Sequence, residues 1–219
     1  VPGSTWRVGG LVTGPLQVVW FKRDLRVVDH RPLTLAVRAG PVLPLYIVEP
    51  GLWAQPDASA RQWDFAAECL KELGQALTTL GQPLCVRTGE AAQVLAQLHD
   101  QRGIAALWSH EETGNGWTYA RDLAVAAWAR RAGVPWHEPR QFGVIRRLKS
   151  RNGWARAWDQ DMAQPLTPPP TALTRLEGLH GDRLPDSAAL GLAPDPCPHR
   201  QTGGRAAALT ILDSFLNAR

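Results

Sequence analysis

The sequence predicts an α/β domain built on a Rossmann-like, doubly wound sheet of five parallel strands, followed by a linker and a trailing helix. Three observations carry this. Five short apolar runs recur along residues 17–138, each of them near-continuous rather than alternating, as strands covered on both faces must be. Segments with helical period separate the later runs. Glycine then closes the helical segments, the usual punctuation of a strand–helix alternation with right-handed crossovers.

In chain order, strands are expected at residues 17–22 (QVVWFK), 42–48 (VLPLYIV), 83–87 (PLCVR), 104–109 (IAALWS) and 134–138 (VPWHE). Between 59 and 80 the residues Trp63, Ala67, Leu70, Leu73, Leu77 and Leu80 recur every three or four positions. Asp64, Glu68, Lys71, Glu72 and Gln75 lie between them, which predicts an amphipathic helix with Ser59 at its N-cap and Gly81 at its end. Shorter helices fit 91–101, closed by Gly103, and 117–131, closed by Gly133.

After Pro139 the rhythm changes. Residues 1–16 are expected as a disordered leader, 17–140 as the α/β domain and 141–164 as its basic, aromatic extension with a helix at 154–162. Residues 165–202 open on PLTPPP and are Pro-, Gly- and Asp-rich without period, which is inter-domain linker composition. Residues 203–219 return to an amphipathic pattern, with Ala208, Leu209, Leu212, Phe215 and Leu216 on one face. One such helix cannot bury its own apolar face.

Composition excludes several classes. No run approaches the roughly 20 apolar residues that span a bilayer. Cys69, Cys85 and Cys197 show neither CxxC nor metal-ligand spacing, and the first two fall on helical and strand patterns, so buried thiols of a cytoplasmic protein are expected. The net charge of +4 permits contact with nucleic acid without requiring it. No glycine lies within 20–28, so neither a dinucleotide fingerprint nor a phosphate-binding P-loop follows the first strand.

Open parallel sheets bind ligands beyond the carboxyl ends of their strands, where strand order reverses; in orders of the 2-1-3 or 3-2-1-4-5 kind this lies beside the first strand. The first strand runs into Lys22, Arg23, Asp24, Leu25 and Arg26, and the fourth into His110, Glu111, Glu112, Thr113, Gly114 and Asn115. These are the two most polar strand exits. Cations from one rim and carboxylates from the other suit a ligand with ring donors and an acidic tail, with Lys22, Arg23, Glu111, Glu112, Thr113 and Asn115 as candidate contacts. Ion pairing within the loop, and helix-dipole complementarity for Glu111 and Glu112, are the competing structural explanations. His30, His99 and His110 read as surface or cap residues. Asp24 with Arg26, and Arg121 with Asp122, read as buried structural pairs.

Arg146, Arg147, Lys149 and Arg151 place four cations in six residues and are candidate contacts to DNA phosphates. A solvated or docking surface is the preferred reading, since no aromatic residue interleaves them before Trp154. The ten tryptophans fit core packing better than electron transfer: Trp63, Trp128, Trp154 and Trp158 on helix faces, Trp20, Trp108 and Trp136 in strands.

Residues 18–33, VVWFKRDLRVVDHRPL, strongly resemble the opening strand, loop and helix start of the DNA photolyase/cryptochrome family, whose V-x-W-F-[RK]-x-D-L-R core is followed by an Asp and a proline or small residue. Three further stretches agree in order: VLPLYIVEP, the segment Thr118-Tyr119-Ala120-Arg121-Asp122, and Gly203-Gly204-Arg205 through Phe215-Leu216. Where many members carry a P-F-W-R-A-W-like run, residues 142–154 read FGVIRRLKSRNGW, a departure that bears on the subclass. The resemblance implies an N-terminal antenna domain holding a folate, deazaflavin or flavin-type pigment. It implies that FAD belongs to a C-terminal domain beyond Arg219, with residues 203–219 as that domain's first helix. The full-length protein is then a deoxyribodipyrimidine photolyase-type lyase acting on damaged DNA (cyclobutane pyrimidine dimers), or a blue-light sensor. Its partners are that DNA and its own FAD domain, and this chain alone carries no catalytic residue.

Two rival classes remain open here. One is a nucleotide-binding α/β domain of the universal-stress or electron-transfer-flavoprotein type. The other is a scaffold whose pocket is filled by its own side chains.

Overall fold

The computed structural model describes residues 14–141, 143–146 and 148–218. Five parallel strands form one sheet: β1 (Leu16–Phe21), β2 (Val42–Val48), β3 (Cys85–Thr88), β4 (Ile104–Trp108) and β5 (Trp136–His137), in the order β3-β2-β1-β4-β5. Every residue of β1 and β2 is buried, the physical reason their sequences are continuous rather than alternating. Helices α1 (Arg31–Ala39), α2 (Pro50–Trp53), α3 (Ala60–Leu80), α4 (Ala91–Arg102) and α5 (Gly116–Ala132) make the connections. Two further helices, α6 (Trp154–Met162) and α7 (Arg205–Asn217), follow the sheet.

Two apolar clusters sandwich the sheet. One joins Val18, Trp20, Leu43, Leu95, Leu107 and Val125; the other joins Val19, Phe21, Leu33, Trp63, Leu70 and Leu77. Alternate residues of β1 thus feed opposite layers, as the period of a strand requires. The helix at 59–80 forms as its periodicity predicts and ends at Gly81, whose φ of +113° would strain any other residue. Ser59 sits at the N-cap without a side-chain hydrogen bond.

Three expectations need correction. Trp154 and Trp158 are 40% and 41% exposed rather than core residues, on a helix, α6, that has no buried residue. Cys69 is half-buried, whereas Cys85 is buried; all three cysteines are free thiols. Residues 165–202, which have linker composition, lie packed on the domain. Leu173, Leu176 and Leu179 are buried in the two clusters. Backbone atoms pin this strap: Leu173 N donates to Leu80 O (2.6 Å), and Asp182 N donates to Val86 O (2.8 Å) on the outer edge of β3. Leu176 N donates to the Gln82 side chain (2.7 Å) and Trp63 Nε1 donates to Pro185 O (3.1 Å). The strap covers a strand edge that would otherwise offer unpaired amides. Among the described residues no helix is long and apolar enough to cross a membrane.

If the strap is part of the folded unit, Leu176→Ala lowers unfolding free energy by roughly 2–4 kcal/mol, the range for emptying a buried leucine site. Denaturant titration checks this. A value near zero would make the strap a free tether.

Candidate functional site

Order β3-β2-β1-β4-β5 reverses between β1 and β4, so their carboxyl ends lie side by side and open one crevice. Its volume is about 200 Å³, and Lys22, Arg23, Asp24, His110, Glu111, Glu112, Thr113 and Gln141 line it.

Asp24 ties the two rims together. Its Oδ1 accepts from Lys22 N (3.0 Å), His110 Nδ1 lies 2.5 Å from Oδ2, and His30 Nε2 lies 2.8 Å from the same oxygen. His30 in turn accepts from Leu33 N at Nδ1 (3.1 Å), capping α1. Burial alone would raise the Asp24 pKa, but the two histidines outweigh it and hold the carboxyl well below its ordinary range. Burial pushes His110 down, opposed by Asp24. The pairing expected between Asp24 and Arg26 does not form. Arg26 instead donates to Gln141 Oε1 (3.4 Å) and Asp29 O (2.9 Å), and the buried histidines take its place. His30 is the cap expected of it, whereas His110 is buried rather than superficial.

The ligand atoms of Asp24, His30 and His110 lie within 4.8 Å of one another, a grouping with the dimensions of a metal site. The tautomer argues otherwise. A ligating nitrogen must offer its lone pair, yet His30 already spends its lone pair at Nδ1 on Leu33 N, leaving the proton on Nε2. The cluster is a lock around one carboxylate: His110 Nδ1 is hydrogen-bonded to Asp24 Oδ2, and His30 Nε2 faces the same oxygen without hydrogen-bond geometry.

Behind the crevice lies a second charged layer. Lys22 is 4% exposed in its side chain; its Nζ stands 5.0 Å from the centre of the Trp20 ring and 5.7 Å from that of Trp136. Asp122 and Glu138 approach it only to 3.7 and 3.8 Å, and Nζ has no hydrogen-bond partner among the described residues. Arg121 crosses the other face of the region: it donates to Glu49 Oε2 (3.0 Å), Asp122 Oδ1 (2.9 Å) and Glu112 Oε2, and its guanidinium carbon is 4.8 Å from the Trp20 ring centre. The expected Arg121–Asp122 pair therefore exists inside a larger network. Burial raises Glu49 to about 7 despite Arg121 beside it, and burial raises Glu138 against the pull of Lys22 and Arg146.

The candidate contacts separate. Lys22, Arg23, Glu111, Glu112 and Thr113 share the crevice; Arg23 is exposed and pairs with Glu112 Oε1 at 3.0 Å. Asn115 does not line it. Its Oδ1 accepts from Thr118 N (3.1 Å) as the N-cap of α5, and its Nδ2 donates to Asp57 (3.1 Å). Of the basic run, Arg146 turns inward, donating to Glu112 O (2.8 Å) and to Glu138 (3.4 Å), and so is no free phosphate contact. Lys149 and Arg151 are exposed, and Arg147 lies outside the described residues. Glu49 and Glu138 were not singled out from the sequence, and Arg121 was read only as the partner of Asp122. The available signal was polarity at the ends of β2 and β5, the same signal that marked the β1 and β4 exits.

The fold and the crevice define a class: a parallel α/β domain that presents a charged cleft at its switch point. The chain belongs to the DNA photolyase family, whose model matches residues 17–145, more than half of it. It corresponds to that family's N-terminal α/β domain. It is 33% identical over 118 residues to a chloroplastic/mitochondrial cryptochrome DASH of Oryza sativa subsp. japonica, covering 50% of this chain and 20% of that protein. With a deoxyribodipyrimidine photo-lyase of Agrobacterium fabrum it shares 28% identity over 230 residues, covering 94% of this chain and 46% of the relative. Among solved structures, an archaeal photolyase of Sulfolobus tokodaii, described with two FAD molecules and a novel light-harvesting cofactor, matches with a TM-score of 0.70 at 20% identity, covering 90% of this chain and 46% of that one. The chain thus spans less than half the length of these relatives.

Two outcomes test the site's electrostatics. Asp24→Ala strands the buried His110 ring nitrogen that it binds and costs roughly 1–3 kcal/mol, measured by chemical unfolding; a neutral result would dissolve the lock. Glu49 titrates with a midpoint of about 7 in carboxyl carbon NMR, against its ordinary 4.5. Because the folded-state value is raised, its contribution to stability is present below pH 4.5 and lost as pH rises through about 7. A midpoint near 4.5 would mean a hydrated carboxylate.

Proposed function

We propose that this domain binds a conjugated antenna pigment in the β1/β4 crevice, as the light-harvesting part of a longer flavoprotein. The observation that carries this reading is Lys22: the residue lines an open crevice at the switch point, and its buried ammonium has no hydrogen-bond partner among the described residues. An unsatisfied buried cation is costly unless something completes it. The opposite wall supplies Glu111, Glu112 and Thr113 for ring donors, while exposed Arg23 suits an acidic tail at the mouth. Folate, deazaflavin and flavin-type pigments all combine these features.

The nucleotide-binding alternative has less support, since no glycine-rich phosphate loop follows β1 and the family match runs through the crevice. The scaffold alternative draws on one observation. About 200 Å³ is below the 300–1,000 Å³ usual for ligand pockets, so some side chains must yield for a pigment to enter. The longer protein would hold FAD in the half its relatives possess and this chain does not span, and would use it on damaged DNA or in light sensing.

Absorbance and fluorescence titration with a folate, a deazaflavin and a flavin tests the reading. Binding of one of them, weakened about tenfold or more (about 1.4 kcal/mol) by Lys22→Met, is the expected result. No binding of any, with a folded protein, favours the scaffold.

A further inference from the structure

We propose that Glu49, Arg121, Glu112 and Arg23 form a charge relay, through which a proton taken up at buried Glu49 loosens a latch between the two rims of the crevice. The relay belongs to the ligand-free protein; only its use in admitting a pigment rests on the reading above.

The latch is the pair Arg23–Glu112. Arg23 leaves the β1 rim and its Nε lies 3.0 Å from Glu112 Oε1 on the β4 rim, so the pair joins the two walls of the crevice. That contact lacks hydrogen-bond geometry and holds by charge alone. Arg23 is 61% exposed in its side chain, and an ion pair with so exposed a member is weakly held. A crevice of about 200 Å³ needs a side chain that yields, and Arg23 is free to swing into water.

Glu112 does not belong to Arg23 alone. Its other oxygen, Oε2, accepts from Arg121 Nη2, and the opposite prong of the same guanidinium, Nη1, donates to Glu49 Oε2 at 3.0 Å. Arg121 Nε and Nη2 also hold Asp122 Oδ1, at 3.1 and 2.9 Å. One cation thus serves three carboxylates. Asp122 has two further cations near it, Lys22 at 3.7 Å and Arg146 at 3.6 Å, so the excess negative charge falls on Glu49 and Glu112. With both ionised, Arg23 relieves that excess at Glu112. With Glu49 neutral, the charge of Arg121 goes to Glu112 and Asp122, and the pull on Arg23 slackens. Glu49, Arg121 and Glu112 are 3%, 5% and 6% exposed in their side chains, so solvent screens the transmission little.

Glu49 is the member placed to take the proton. Its Oε1 is buried with no hydrogen-bond partner among the described residues, which leaves the ionised form incompletely satisfied. Burial raises it to about 7; Arg121 and the Ala91 amide of α4 favour the charge, and Glu90 just before α4 opposes it. Tyr46, on β2, interacts with both Glu49 and Glu112, and burial holds its phenol in the protonated form. At the other end, Lys22, Asp24, His110 and Glu111 line the same crevice as Arg23. The sign follows. The latch is tighter above the Glu49 midpoint and looser below it, where Arg23 is released to meet an anionic group.

Carbon-detected NMR of the ligand-free 219-residue chain tests this by following the Glu49 carboxyl carbon and Arg23 Nε through one pH series. The Arg23 signal should inflect at the Glu49 midpoint, and Glu49→Gln, which fixes the neutral form, should abolish the inflection. Linkage is reciprocal, so Arg23→Gln should raise the proton affinity of Glu49 about two- to fivefold, the worth of an exposed ion pair. Arg121→Lys keeps the charge and loses the fork; Arg23 should then cease to respond while Glu49 still titrates. A flat Arg23 signal through the Glu49 transition overturns the relay, as does an inflection that survives Glu49→Gln. A Glu49 midpoint in the ordinary carboxylate range removes its proton input. Coupling that persists in a folded Arg121→Lys protein assigns the effect to a field through space and overturns the relay as well. No pigment is present in these measurements, so their failure and the failure of the pigment reading are separable.

Discussion

One buried carboxylate sets the geometry on which the crevice depends. Asp24 receives Lys22 N, His110 Nδ1 and the Nε2 face of His30, and so joins the end of β1, the start of β4's exit loop and the first turn of α1. Backbone direction after β1 follows from this. With Asp24 turned down into the protein, Lys22 is carried into the space behind the rim and Arg23 out to solvent. The sheet order makes the clasp feasible, since β1 and β4 are hydrogen-bonded neighbours although their paired positions are far apart in sequence, for instance Leu16 and Ile104 with a register shift after Leu16. A clasp between sequence-distant rims gives the crevice a fixed width before any ligand arrives, which is preorganisation in its plainest form.

Around that clasp the domain tolerates a dense charge layer that a core optimised for stability would avoid. Two cations, Lys22 and Arg121, lie over the ring of buried Trp20, and four carboxylates, Glu49, Glu112, Asp122 and Glu138, answer them. Buried pairs of this kind recover little more than their desolvation cost, and hydrophobic replacements are often as stable. Arg121 is held cationic by its three carboxylate partners, whereas Glu49 pays part of the electrostatic cost of burial and titrates near 7. Departures from local stability rules are found where a protein has something to bind.

Much of this was legible in the sequence and some of it was not, for identifiable reasons. Continuous apolar strands, the period of 59–80 and the glycine stops are local properties, so the layered sheet could be read directly. The two charged rims could be read as strand exits, and the neighbouring of β1 and β4 follows from the order that such alternations adopt. Partners across the sheet could not. That Asp24 meets His30 and His110 rather than Arg26, and that Arg121 spans Glu49 and Glu112, depends on which exits become neighbours in space. Asn115 illustrates the converse. Its place just before a helix marks a cap as readily as a ligand contact, and the cap won. In residues 165–202 the leucines are too sparse for a period, so their burial against the sheet leaves no sequence signature.

The strap and the crevice also answer to protons in separate ranges. At the strap's end, Arg200 binds both oxygens of Glu68 (3.0 and 2.5 Å), Gly203 N donates to Glu68 and Ala206 N donates to Glu72, so α3 carboxylates receive the first amides of α7. Hydrogen bonds from Arg200 and Gly203 lower Glu68 to about 2; its contribution is thus present above pH 4.5 and lost only as pH falls through about 2. The clasp at α7 therefore stays intact across the interval between 4.5 and 7 in which the stability contribution of Glu49 is lost. Gly203 and Gly204 fit this clasp because a Cβ on either would stand 2.3 Å from Phe65 O or 2.2 Å from Glu72 Oε2. The exposed apolar residues of α7, from Leu209 to Leu216, are thus carried on a helix whose first amides stay bound to α3 carboxylates across that interval.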